Sequence, residues 1–174
     1  GVATFRGSYA APYRDHLLDK DVRAERIERL LNGRYPGLSL ADHGVSDPEV
    51  RDAPFRLSFS GRVASLAAPI GDTLQVPRPA GGDGHASRLA AMARREHPLL
   101  IGPPATHRTR FRYVLPTGWS VRDSPPPSEV TSPFGRYSVR WTREPGAATV
   151  ETVLRLEVDQ VSPGAYPAFR SFIQ

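Results

Sequence analysis

The stretch FGRYSVRWTREPGAATVETVLRLEV, residues 134–158, decides the fold. Tyr137, Val139 and Trp141 alternate with Ser138, Arg140 and Thr142. Val150, Thr152, Leu154, Leu156 and Val158 then alternate with Glu151, Val153, Arg155 and Glu157. Strand side chains point to opposite faces with a period of two, so each run buries one face and wets the other. Between the runs stands Glu144-Pro145-Gly146. Proline sets its own φ and glycine accepts a positive one, so this tripeptide reads as a turn. The segment predicts an antiparallel hairpin.

Working outward, the same period recurs. Phe111, Tyr113 and Leu115 alternate with Arg110, Arg112 and Val114, and Pro116-Thr117-Gly118 turns the chain. Trp119 and Val121 lead to Pro125-Pro126-Pro127, an extended edge. Further upstream, Phe55, Leu57 and Phe59 alternate with Arg56, Ser58 and Ser60, Gly61 is expected to kink the run, and Val63 to Leu66 continue it. Leu38, Leu40 and Val45 suggest a strand, as do Thr73 to Val76, closed by Pro77 and Pro79. Residues 78–88 read as a loop or a subdomain joint, and 86–95 as a short helix broken by Pro98.

Two segments follow the helical period instead. Leu18, Val22, Ile27, Leu30 and Leu31 share a face within 13–33 and predict a helix over 20–32, with Glu25 and Arg29 paired on its wet side and Asn32-Gly33 as its stop. Tyr166, Phe169 and Phe172 are three apart and predict a terminal helix docked on the sheet. The expected class is mainly β: an antiparallel β-sandwich with an N-terminal helix and short additional helices. Residues 1–12 are expected to be a linker from an upstream domain, and 13–174 one domain with a sub-boundary within 78–97. Phe111, Tyr113, Tyr137, Trp141, Leu154 and Leu156 are its expected core.

Composition narrows the chemistry. The chain has 174 residues and no Cys, which excludes disulfides, a thiolate nucleophile and Cys-ligated metal centres. Its formal charge is +5, and Lys20 is the single lysine among 23 basic residues. The arginines are scattered from Arg6 to Arg170, densest at Arg94-Arg95 and Arg108/Arg110/Arg112. That spread reads as a coding preference for arginine over a polar surface, and no nucleic-acid partner is expected. No apolar run approaches the ~20 residues of a membrane-spanning helix. The chain opens on Gly1-Val2-Ala3-Thr4 without Met, which suggests a segment of a longer protein.

Motifs that carry chemistry are sparse. There is no G-x-S-x-G elbow, P-loop or H-E-x-x-H, and Gly81-Gly82-Asp83-Gly84 lacks the spacing of a dinucleotide fingerprint. Asp83 and His85 are two metal-ligand types in one loop, but two are too few for a site; solvated loop residues are the better reading, and neither metal nor cofactor is expected. His107 and Asp123 lie on candidate strands separated by a turn, as a base and its orienting acid would, with Ser120 or Ser124 as the nucleophile of an unrecognised hydrolase. Trp119 and Trp141, with Tyr137 and Phe134, present a second option, an aromatic platform for a carbohydrate or envelope polymer. The alternation that puts Tyr137 and Trp141 beside Val139 favours a core role. His107, Asp123, Trp119 and Trp141 are therefore candidates for a binding surface, and no catalytic residue is assigned.

The order of the remaining motifs resembles a known architecture. Tyr13-Arg14, Leu30-Leu31-Asn32-Gly33, Tyr35-Pro36-Gly37 and Gly71-Asp72-Thr73-Leu74-Gln75-Val76-Pro77 come first. Arg95, Pro98-Leu99, Pro103-Pro104, Phe111-Arg112-Tyr113-Val114-Leu115-Pro116-Thr117-Gly118, Pro126, Ser132-Pro133-Phe134-Gly135 and Tyr137 follow. Val161-Ser162-Pro163, Tyr166, Phe169-Arg170 and Phe172 close the series. From about residue 13 onward this succession is similar to the C-terminal region of large bacterial proteins in which a β-rich domain of unknown function precedes a transglutaminase-like core. The resemblance implies a domain downstream of that core, in a periplasmic, membrane-attached or exported protein. Its partners would be the upstream domains of its own polypeptide, and an envelope polymer or protein substrate. The core's Cys–His–Asp triad maps onto nothing here, so His107 and Asp123 gain no catalytic role from it. A non-catalytic accessory domain is the leading expectation.

Overall fold

The computed structural model describes residues 1–64, 66–76 and 84–174. The expected strand closure at Pro77 and Pro79, Ser65 in the expected extension of the Phe55 run, and Gly81, Gly82 and Asp83 lie outside the described residues. The fold is mainly β, with antiparallel sheets and a few short helices, as the alternation predicts. It divides into two compact units, Gly1–Arg78 and Pro79–Gln174.

The first unit holds a three-stranded antiparallel sheet of β1 (Val2–Phe5), β2 (Leu38–Val45) and β3 (Phe55–Val63), in the order β1-β3-β2. The stretch expected to be a linker thus contains a paired strand. Phe5 lies opposite Phe55 and its ring stacks on Tyr13 at 3.7 Å, an apolar anchorage that a free linker would not have. Two helices, α1 (Ala11–His16) and α2 (Arg23–Asn32), bring Leu17, Ile27 and Leu31 against Leu38, Phe55 and Leu57. A short hairpin, β4 (Ala68–Ile70) with β5 (Thr73–Gln75), completes the unit.

The helical signal over 13–33 resolves into two helices because side chains capture the carbonyls between them. Arg23 donates from Nε to the Leu17 carbonyl at 2.7 Å and from its guanidinium to the Leu18 carbonyl at 2.8 Å, while Arg26 donates to the His16 carbonyl at 2.8 Å. The Asp19 carboxylate accepts from the Asp21 N–H, a local turn that competes with helix. The expected Glu25–Arg29 pair forms on the exposed side.

Asn32 ends α2 and starts the sheet. Its Nδ2 donates to the Glu28 and Leu38 carbonyls at 3.0 and 2.9 Å, and its Oδ1 accepts from the Gly37 and Leu38 N–H groups at 3.0 and 3.1 Å. Asn32→Ala removes the acceptor of the Gly37 N–H, whereas the Leu38 N–H keeps the Tyr35 carbonyl at 3.1 Å, and is expected to cost about 1–3 kcal/mol. Amide exchange at Gly37 checks this, because it should quicken there more than at Leu38; unchanged exchange at Gly37 would contradict the role.

The second unit is built on a four-stranded antiparallel sheet of β7 (Ala105–Val114), β8 (Ser128–Ser132), β9 (Gly135–Glu144) and β10 (Ala147–Leu156), ordered β7-β10-β9-β8. The hairpin over 134–158 is β9 and β10, paired from Gly135↔Leu156 to Glu144↔Ala147. Gly146, at φ +70°, takes the left-handed position of the two-residue connection after Pro145. A two-stranded ribbon joins β6 (Leu99–Leu100) to β11 (Gln160–Val161). The helix expected over 86–95 is one short helix, α3 (His85–Leu89).

The terminal helix α4 (Tyr166–Ile173) docks as its aromatic spacing predicts. Tyr166 and Phe169 are fully buried beside Leu89, Leu99, Leu154, Leu156 and Val161. The Tyr166 hydroxyl donates to the Leu89 and Met92 carbonyls at 3.3 and 2.9 Å, and Arg170 Nε donates to the Ala90 carbonyl at 3.2 Å. The Arg95 guanidinium lies 5.2 Å from the Tyr166 ring centre. These contacts hold the turn after α3 onto α4, which is why the helical pattern there ends early.

Of the expected core, Leu154 and Leu156 are buried, whereas Phe111, Tyr113, Tyr137 and Trp141 are half-buried. The apolar face of the sheet is correct in direction, but α4 covers only the end that carries Leu154, Leu156 and Tyr137.

Candidate functional site

The register separates the sheet of the second unit into two chemically different faces. On one, β7 contributes His107, Thr109, Phe111 and Tyr113, β10 contributes Leu154, Thr152, Val150 and Ala148, and β9 contributes Tyr137, Val139 and Trp141. On the other, β7 contributes Arg108, Arg110 and Arg112, β10 Glu151, Val153 and Arg155, and β9 Arg136, Ser138, Arg140 and Thr142. Period-two geometry alone produces this split.

The sequence-derived candidates fall apart spatially. His107 sits in the row of Leu154 and Tyr137, and its ring meets His85 of α3 edge-on at 4.3 Å. Asp123 and Ser124 belong to the segment between β7 and β8. Asp123 is exposed, with Arg122 as its neighbour at 3.9 Å, and Ser124 Oγ accepts from Arg143 at 3.1 and 2.8 Å. Arg143 lies in the row of Tyr113 and Ala148, six residues along β7 from His107. At about 3.4 Å per residue that is on the order of 20 Å. The structure therefore does not bring His107 to Ser124.

Trp119 and Trp141 also part. Trp119 is exposed after β7, its backbone N–H bonded to the Pro116 carbonyl at 3.1 Å. Trp141 stacks on Tyr113 with ring centres 6.3 Å apart and planes 12° from parallel, and its indole N–H is buried without an acceptor. Trp141 thus presents no hydrogen-bonding edge to solvent. Among the described residues no group of three or more His, Cys, Asp or Glu is arranged to hold a metal ion, and no helix is long and apolar enough to cross a membrane.

What sequence reasoning passed over is the second face. A groove of about 390 Å³ crosses it, lined by Arg110, Arg140, Glu129, Glu151, Thr142 and Thr149. Glu151 approaches Arg110 at 3.3 Å and Arg108 at 3.7 Å, and Glu144 approaches Arg112 at 3.6 Å. The signal was present as Arg108/Arg110/Arg112, spaced by two within a strand. Arg136, Arg140 and Arg155 join that row only through strand pairing, which a linear reading does not supply.

A mainly β unit with an antiparallel four-stranded sheet, one side covered at one end by a C-terminal aromatic helix and the other left charged, is what the second half of the chain defines. A family model described as a domain of unknown function with a solved structure, DUF3858, matches residues 79–174. The match covers more than half of the chain, and the chain belongs to that family. No curated protein and no solved structure was found to match it.

Proposed function

We propose that this chain is a non-catalytic accessory domain that follows a transglutaminase-like core, packing against or positioning that core or binding its substrate, in a periplasmic, membrane-attached or exported protein. The observation that carries the reading is the order of motifs from Tyr13-Arg14 to Phe172, which resembles the C-terminal region of such proteins. The DUF3858 match over 79–174 is consistent with it. The absence of Cys supports the non-catalytic part, since a thiolate nucleophile would have to come from elsewhere in the polypeptide.

The full open reading frame is the direct test. A Cys–His–Asp core upstream of this segment is the expected finding. The separately expressed chain is expected to leave amide and ester substrates intact and to co-elute with the separately expressed upstream domains. Turnover by the chain alone, abolished by His107→Ala, would overturn the non-catalytic reading.

A further inference from the structure

Arg108, Arg110 and Arg112 project from β7 on the face opposite Leu154 and Tyr137, about 7 Å apart along the strand. Strand pairing places Glu151 between Arg110 and Arg140, Thr149 between Arg112 and Thr142, and Val153 between Arg108 and Ser138. In the next row Arg155 lies directly opposite Arg136. The arginine side chains are exposed, from 57% at Arg112 to 71% at Arg110. The intramolecular acids only partly offset them. At one end Arg136 meets Glu129 at 3.8 Å and Arg155 meets Glu157 at 3.0 Å. At the other, Arg108 and Arg110 share Glu151, Arg112 meets Glu144, and Arg140 stands across from Glu151 on β9, so four arginines face two acids there, while the groove itself is lined by Arg110 and Arg140 with Glu129 and Glu151.

Two features define what such a face accepts. Like charges opposed across neighbouring strands, as at Arg136 and Arg155, are unfavourable, and the Glu129 and Glu157 carboxylates beside them offset that only in part. Guanidinium groups donate in a planar fork that suits carboxylate, sulfate and phosphate oxygens. Between the arginines stand hydroxyls, Ser138, Thr142 and Thr149, which exchange hydrogen bonds with a polyol. No strand position on this face carries an aromatic side chain, so the strands offer no stacking platform for nucleobases.

We propose that the outer face of the four-stranded sheet binds an anionic glycan, a sugar polymer bearing carboxylate or sulfate groups. The site is Arg108, Arg110, Arg112 and Arg140 around the groove, extended by Arg136 and Arg155. It lies on the face opposite Trp141 and needs no upstream transglutaminase-like core, so its failure and the failure of that reading are distinguishable.

A heparin dodecasaccharide is the probe, titrated into the full chain at two salt concentrations. The triple variant Arg110→Ser, Arg112→Ser, Arg140→Ser is compared with a variant of equal charge, Arg6→Ser, Arg51→Ser, Arg62→Ser, whose arginines are exposed in the first unit. The parent and the first-unit variant should bind within about threefold of each other, and more weakly as salt rises. The sheet variant should bind at least tenfold more weakly while keeping its melting temperature. Should that variant unfold, Arg140→Ser alone, which disturbs no ion pair named above, should still weaken binding about threefold. No binding by the parent, equal loss in both triple variants, or a thymidine oligonucleotide bound as tightly as heparin would each overturn the proposal.

Discussion

Gly135→Ala is expected to destabilise the second unit by about 3 kcal/mol or more, at the upper end of what single substitutions do. Gly135 has φ +148°, in the region that side-chain-bearing residues rarely adopt. A Cβ there would also run into the Arg155 carbonyl oxygen, with the Arg155 carbonyl carbon at 3.0 Å and the Leu156 Cα at 3.2 Å. Those atoms are backbone of the central strand β10, so no rotamer change relieves the clash. Gly135 is paired on both sides, with Leu156 of β10 and Ser132 of β8, so a shift there displaces two ladders at once. It also aims Phe134, whose ring meets Phe169 edge-on at 5.3 Å.

The chain supplies its own reporter for this experiment. Both tryptophans, Trp119 and Trp141, belong to the second unit, so tryptophan fluorescence in urea follows that unit alone. A midpoint indistinguishable from the parent would refute the close approach of β9 to β10 at Gly135.

Phe169→Ala is the second large effect, expected to cost about 3–5 kcal/mol. Phe169 is fully buried and lies between Phe134 and Tyr166, whose ring centre is 6.5 Å away. Truncation leaves a cavity that the sheet, held by ladders on both sides of β9, collapses into poorly. Domains of this size hold about 5–15 kcal/mol in total, so the loss removes a large share of the unit's stability. Phe172→Ala, at a half-buried position of the same helix, is the internal comparison and should cost distinctly less. Equal losses at the two positions, read by the same fluorescence transition, would contradict the docking of α4.

These two sites also mark where sequence was informative. The hairpin was legible because both strands alternate over ten residues and share one turn; Tyr166, Phe169 and Phe172 were legible because helical spacing survives in eight residues. β6 and β11 were not, because two residues carry no period, and β1 was not, because its partners in β3 lie 50 to 56 residues away. The single helix expected over 20–32 begins at Arg23 because arginine side chains close the preceding turn, an interaction that apolar periodicity does not encode. The candidate site shows the same limit. His107, Asp123, Trp119 and Trp141 stand out by residue type, whereas the charged face follows from register: three arginines in one strand are visible as a spacing, and their sharing a face with Arg136, Arg140 and Arg155 requires the sheet.

The position of β7 has one more consequence. It is ten residues long and, among the described residues, lies at the edge of its sheet beside β10, so its second row of backbone donors and acceptors is a template on which another strand could assemble. Arg108, Arg110 and Arg112 border that template with repeating positive charge, and a second copy approaching edge to edge would bring an identical row against them. Electrostatic repulsion between copies is then a guard against fibrous self-association. Any polyanion that neutralised the row would also relax the guard, so occupancy of the charged face and colloidal behaviour are coupled through the same three side chains.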